Sequence, residues 1–126
     1  MKNIIKKVVF TGFTFGFLLC LPVSAMESRV NTIPVFPRQS TVFCAEGLEQ
    51  QLGLENGDLL AVTFTVIPEK GQLLAGGIPV ERGETLLRRE LEELCYRPDG
   101  EGSDWFAIVP ICSERICAVY NLQPVL

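Results

Sequence analysis

Hydrophobic and polar residues alternate along most of this chain in short runs that are separated by turn residues. The longest run covers residues 59–67, where Val62, Phe64 and Val66 alternate with threonines. A period of two carried by β-branched and aromatic residues predicts a strand with one buried face. Shorter runs bounded by Gly, Pro, Asn or Asp predict further strands at residues 40–45, 72–74, 78–80, 95–97, 105–111 and 116–120. Many short strands with frequent turns predict an antiparallel β-sandwich over residues 41–120.

One stretch has helical spacing. Leu87, Leu91 and Leu94 fall at i, i+4 and i+7 among charged residues, which predicts one short helical insert over residues 86–94. Residues 46–51 are undecided between a strand end and a helical turn. The residues predicted to face the core are Val62, Phe64, Val66, Leu73, Leu91, Tyr96, Phe106 and Ile108.

The N-terminus has the order of an export signal. A basic segment precedes an apolar run that is closed by Pro22, and Val23-Ser24-Ala25 places small residues at the −3 and −1 positions. We predict cleavage after Ala25, with retention as a membrane anchor as the alternative. The chain is therefore divided into a signal peptide (1–25), an extended linker (26–38), a β-sandwich domain (39–121) and a C-terminal linker stub (122–126).

Removal of the signal peptide changes the charge of the chain. Residues 1–25 contain three of the eleven basic residues and none of the fifteen acidic ones, so the remaining chain has a net charge of −7. Such an acidic surface repels phosphate backbones, which argues against nucleic acid as a partner.

Four cysteines follow the signal peptide: Cys44, Cys95, Cys112 and Cys117. An even count in an exported chain predicts two disulfides, and four cysteines allow three pairings. Across a short hairpin Cys112 would face Cys117, and Cys44 would then pair with Cys95. The chain has no histidine and no close Cys-x2-Cys pair, so we predict no zinc site.

An internal echo links the two ends of the exported chain. Residues 30–36 and 120–126 both contain Asn-x-x-Pro-Val, about ninety residues apart. This spacing suggests that each segment is a linker in a tandem array of repeats.

Residues 34–126 resemble a single cadherin-like or bacterial Ig-like repeat. The motifs are Val-x-Phe-x-Val-x-Pro-x-x-Gly-x-Leu and Tyr-x-Pro … Gly-x-Asp-x-Phe. The residues that carry them are Val62, Phe64, Val66, Pro68, Gly71, Leu73, Tyr96, Pro98, Gly102, Asp104 and Phe106. The insert after Gly83 resembles the variant found in chondroitin sulphate proteoglycan-type repeats. In such a repeat Asp104 would accept hydrogen bonds from backbone amides of the bend ahead of its strand.

The resemblance implies a secreted, cell-surface or cell-envelope module acting in adhesion, macromolecular binding or spacing, with neighbouring repeats as candidate partners. Many family members bind calcium in their first loop. Here Glu55 and Asp58 offer too few oxygen ligands, so we predict a solvated turn and no metal.

Catalytic machinery is not recognisable in the sequence. Without histidine, Ser-His and Cys-His nucleophiles are excluded, and we predict no enzyme activity and no cofactor. Alternation with an inward Phe106 predicts that Trp105 points outward, where it could bind an extracellular protein or polysaccharide. The alternative function is a secreted protease inhibitor or effector that presents the 112–117 hairpin, with Glu114 and Arg115 at its tip.

Overall fold

Two β-sheets pack face to face in the part of the chain that the computed structural model describes, residues 26–100 and 102–125. The predicted signal peptide, residues 1–25, lies outside the described residues. The strands are β1 (Glu27–Val35), β2 (Thr41–Phe43), β3 (Ala61–Val66), β4 (Gln72–Ala75), β5 (Ile78–Pro79), β6 (Thr85–Leu87), β7 (Leu94–Arg97), β8 (Asp104–Ile111) and β9 (Ile116–Pro124).

The sheets contain five and four strands. Their orders are β1-β9-β8-β3-β6 and β2-β7-β4-β5. Every pair is antiparallel except β1 with β9, which run parallel. The prediction of an all-β sandwich is confirmed.

The helices differ from the prediction. Helix α1 (Ala45–Leu52) occupies the undecided segment, beginning after Cys44, whose Sγ accepts from the Gly47 N–H. The 3₁₀ helix (Arg88–Glu93) covers only part of the helix predicted at residues 86–94. The rest of that segment is strand, because β6 pairs with β3 and β7 pairs with β2 and β4.

The core prediction is confirmed at seven of eight positions. The exception is Val66, which is half-buried because a register shift between Phe64 and Val66 interrupts the alternation along β3. The centre of the core is aromatic: Phe106 stacks on Tyr120 at 5.0 Å between ring centroids, and Phe43 meets both rings edge-on.

The predicted linker at residues 26–38 and the stub at 122–126 are corrected by the structure. Most of residues 26–38 form β1, whose last residue Val35 lies in the core, and β9 continues to Pro124. The two echoing segments are neighbouring parallel strands, with Ile33 level with Leu122. The similar residues are one position out of step in this pairing, because Asn31 is level with Tyr120 and Asn121 is level with Thr32. The two asparagines therefore lie on opposite faces of the sheet.

The predicted disulfide between Cys112 and Cys117 is not formed, and both residues are free thiols. Ile108 is level with Ala118, so counting along the hairpin puts Cys117 level with Val109, three residues before Cys112. In addition, Cys112 packs against the core, while Cys117 alternates with buried residues and points outward. The two side chains lie on opposite sides of the sheet.

Cys44 and Cys95 are also free thiols. Cys95 is directly level with Val42 in the β2–β7 ladder, so Cys44 lies two residues beyond that position. Diagonal neighbours across an antiparallel pair are separated by more than the distance that a disulfide joins.

Candidate functional site

The carboxylate of Asp104 is the most heavily hydrogen-bonded side chain in the described part of the chain. It accepts from the backbone N–H groups of residues 69–71 at 2.9–3.0 Å. It also accepts from the Tyr96 hydroxyl at 2.9 Å and from the Trp105 N–H at 3.0 Å. Asp104 thus joins the β3–β4 turn, β7 and β8 at one point.

The sequence predicted an amide-binding role for Asp104 but placed its partners in the bend ahead of β8. The partners are instead in the Pro68–Gly71 turn, more than thirty residues away. Burial alone raises the pKa of Asp104, but the donors at Gly71, Glu69 and Tyr96 outweigh it, so the pKa lies below its ordinary value. The side chain is therefore a stable anion that fixes the start of β8.

The fixed end of β8 presents Trp105 to solvent. Its side chain is 45 % exposed, between the buried Asp104 and Phe106. The prediction that Trp105 points outward is confirmed. Its backbone is held by pairing with Asn121 on β9 and by the carboxylate of Asp104.

Trp105 belongs to a broad solvent-facing side of the five-stranded sheet, which we call the outer sheet face. Its members are exposed or half-buried except for the buried Ala61, and none of them carries a charge. They are Ser28, Val30, Thr32, Pro34, Ala61, Thr63, Thr85, Leu87, Trp105, Ala107, Val109, Ile111, Cys117, Val119, Asn121 and Gln123.

One row across this face combines an aromatic ring with polar groups. Trp105 is level with Asn121 on β9, and Asn121 is level with Thr32 on β1. We call these three residues the tryptophan row; Gln123 lies on the same face two residues beyond Asn121. Within the described residues, the side chains of Asn121, Gln123 and Thr32 form no hydrogen bond.

The predicted hairpin site, Glu114 and Arg115, is distant from Trp105. Ile111, the last residue of β8 before the loop, lies six residues from Trp105, or about 20 Å along a strand. The loop itself is tightly held: Asp58 accepts from the Ser113 hydroxyl at 2.8 Å and from its N–H at 3.2 Å. The structure therefore does not bring the two predicted surfaces together.

Arg29 on β1 strengthens the hairpin end. Its guanidinium pairs with Glu114 at 2.9 Å and donates to the carbonyl of Leu52 at the end of α1. The Glu27 carboxylate also binds Arg29, and these contacts raise the pKa of the guanidinium. β1 is thus fastened to both α1 and the β8–β9 loop.

A buried ion pair was missed by the sequence reasoning. Glu49 on α1 is 2 % exposed and accepts from Arg88 at 2.6 Å and from the N–H groups of Gly57 and Leu59 at 2.9 Å. The helical stripe formed by Ala45, Leu48, Glu49 and Leu52 would have placed this carboxylate in the core.

The acidic turn that contains Glu55 and Asp58 makes hydrogen bonds to other parts of the domain. Asp58 anchors Ser113, and Gly57, next to it, donates to Glu49. In the described part of the chain no three cysteines or acidic residues come together in a geometry that could hold a metal ion.

Comparisons with models of known families, with curated proteins and with solved structures give no match. None of the helices in residues 26–100 and 102–125 is long and apolar enough to cross a membrane.

Proposed function

We propose that this chain is a non-catalytic Ig-like module, secreted or held at the cell surface, that binds another macromolecule through the outer sheet face. The observation that carries the proposal is the absence of charge on this face in an acidic chain, together with the exposed Trp105. Interface centres are depleted of charged residues and enriched in aromatic ones. Adhesion and spacing between neighbouring repeats are roles that such a module can serve.

The Asp104 contacts support the proposed kinship with cadherin-like and bacterial Ig-like repeats. The two motifs that carry the resemblance are separate in sequence, and Asp104 of one motif binds the amide of Gly71 in the other. Tyr96, also part of the second motif, donates to the same carboxylate. Gly71, Tyr96 and Asp104 therefore act together: their hydrogen bonds fasten the turn after β3 to β7 and β8.

Retention on immobilised macromolecules tests the proposal. We expect beads coated with the chain to be retained on at least one of cellulose, xylan, heparin, collagen, fibronectin or the chain itself. Retention should fall about tenfold or more in Trp105→Ala and Val109→Lys, because loss of an aromatic anchor or burial of a lysine at an interface centre is costly.

The matched control is Val42→Lys, which places the same charge on the outer side of the four-stranded sheet, where Val42 is 68 % exposed. This variant should bind like the unchanged protein. Retention on none of the surfaces, or equal loss in Val42→Lys, would contradict a binding role for the outer sheet face.

The alternative, a protease inhibitor that presents Arg115, has geometry against it. The residue after Arg115 is Ile116, which is 1 % exposed in the core, and the Arg115 carbonyl accepts from the Glu27 N–H at 3.2 Å. A protease must reach the carbonyl and the following residue of the bond that it attacks. Both are already occupied inside the domain.

We therefore expect the purified chain not to inhibit trypsin when present in large molar excess over the enzyme, measured by hydrolysis of a chromogenic arginine substrate. The control is Arg115→Ala, which should behave identically. Stoichiometric inhibition that disappears in Arg115→Ala would restore the inhibitor hypothesis.

A further inference from the structure

The tryptophan row has a chemical character that differs from the rest of the outer sheet face. Towards β6 the face consists mainly of aliphatic residues and threonines, whereas Trp105 adjoins an amide and a hydroxyl on the next two strands. Asn121, Thr32 and the nearby Gln123 have their side-chain donors and acceptors free of internal hydrogen bonds. The row thus offers one aromatic ring and two uncommitted polar side chains, and Gln123 adds a third beside it.

We infer, on the basis of the proposed function, that the tryptophan row binds a neutral polysaccharide made of pyranose rings with equatorial hydroxyls. Such a ring has an apolar C–H face that stacks on indole and a rim of hydroxyls that both donate and accept. Asn121 and Gln123 each supply two donors and an acceptor, and Thr32 supplies a hydroxyl that does both. The indole ring thus matches the apolar C–H face of the sugar, and the amide and hydroxyl groups match its rim of hydroxyls.

The spacing of the row suits an extended sugar chain. Adjacent strands lie about 4.8 Å apart, so Asn121 is one strand and Thr32 two strands from Trp105. A pyranose ring has nearly this width, so a chain lying across the strands would place one ring on Trp105 and the next over Asn121 and Thr32.

The site is also held in place before any ligand arrives. Trp105 is level with Asn121 in the β8–β9 ladder, and Asp104 binds its backbone N–H. A fixed side chain loses less conformational entropy on binding than a mobile one. A shallow site with one aromatic ring can therefore retain a weak but specific affinity.

Charge selects the kind of polysaccharide. The exported chain has a net charge of −7, and the row has no cationic side chain to hold a sulfate or carboxylate. Acidic polysaccharides are repelled by such a surface. The uncommitted amides favour a hydroxyl-rich ligand over an aliphatic protein surface, which would bury them without partners.

Trp105 is the only tryptophan in the chain, so its fluorescence reports on the site directly. We expect titration of the purified chain with cellohexaose or xylohexaose to give a saturable change in emission, while heparin gives none. Asn121→Ala should weaken binding about fivefold, the worth of one hydrogen bond. Gln51→Ala, which removes an exposed amide on α1, should leave the affinity unchanged.

Trp105→Ala, which has no reporter, is compared by retention on insoluble cellulose and xylan and should lose at least about tenfold. Coincident thermal melts would show that each variant remains folded. The inference is overturned if neither oligosaccharide gives a saturable change, or if heparin binds as well as they do.

The failure of this inference is distinct from failure of the proposed function. Retention on collagen, fibronectin or the chain itself that is lost in Val109→Lys, without any sugar binding, would overturn the polysaccharide and leave the outer sheet face as a protein-binding surface. A concentration-dependent dimer abolished by Val119→Lys would have the same meaning. Retention on no surface at all, with no fluorescence change, would overturn both proposals.

Discussion

Replacing Gly71 with alanine should lower the free energy of unfolding by at least about 3 kcal/mol, enough to leave much of the protein unfolded at 37 °C. A Cβ at this position would lie 2.5 Å from the backbone oxygen of Arg97 and 2.5 Å from the hydroxyl oxygen of Tyr96. The Gly71 amide is the donor that Asp104 binds at 2.9 Å, so backbone movement to relieve the clash would break that hydrogen bond. Urea unfolding followed by circular dichroism measures the loss.

The matched control is Gly47→Ala. Gly47 lies in α1, where an added Cβ meets only the Cys44 Sγ at 3.5 Å, an ordinary contact. Alanine is the better helix former by about 1 kcal/mol, so this variant should be as stable as the unchanged protein or more so. Since neither glycine has a positive φ, backbone strain does not distinguish the two variants. Equal stability of Gly71→Ala and the unchanged protein would contradict the close packing of the turn against β7.

Strands with one buried face were predictable from the sequence, because that face sets the alternation of hydrophobic and polar residues. In β8, Asp104, Phe106 and Ile108 are buried while Trp105 is exposed, as the period of two requires. The same reasoning failed at Val66, because a bulge changes the face on which later residues point and has no clear sign in the alternation itself.

Edge strands were harder to recognise. Pro34 and Pro37 made residues 26–38 read as a linker, but one side of an edge strand makes no ladder hydrogen bonds and therefore tolerates proline. The long-range parallel pairing of β1 with β9 depends on residues about ninety positions apart. Local patterns do not contain that information.

The cysteine pairing failed for a related reason. The turn between β8 and β9 was predicted to be symmetric about Glu114 and Arg115, whereas the observed register places Cys112 in the loop and Cys117 three rungs away from an opposite position. Register depends on the turn conformation, and a Glu-Arg dipeptide does not select one. Outward and inward faces were predictable, but the pairing of particular residues was not.

The candidate site was likewise predictable only in part. Trp105 was identified because exposure of an aromatic residue follows from alternation along one strand. Its polar neighbours Asn121 and Thr32 were not, because their positions depend on the registers of β9 and β1.

Replacing Glu49 with glutamine should destabilise the protein by about 2–3 kcal/mol at pH 7, because it leaves the Arg88 guanidinium without its anion. The hydrogen bond from Arg88 lowers the pKa of Glu49 from 4.5 to about 2; burial opposes this, and the amides of Leu59 and Gly57 add to it. The side chain of Arg88 is 32 % exposed, so water replaces part of the lost interaction and the cost stays below that of a fully buried pair.

The loss should depend on pH in a defined direction. A carboxyl group whose pKa is lower in the folded state stabilises the fold fully above its unfolded pKa, near 4.5, and the stabilisation disappears as the pH falls towards 2. The difference between the unchanged protein and Glu49→Gln should therefore be constant from pH 7 to about 5 and shrink steadily below it. Asp104, whose pKa is also lowered, should make both proteins less stable in acid.

Urea unfolding at a series of pH values between 7 and 3 measures this difference directly. The control is Glu55→Gln, since Glu55 is exposed and its side chain has no partner among the described residues. The stability of this variant should match that of the unchanged protein within about 0.5 kcal/mol at every pH. A Glu49→Gln difference that stays the same from pH 7 to 3 would show that the loss comes from packing of the amide. A difference that converges as the pH falls identifies the charge of Glu49, held by Arg88, as the source of the stabilisation.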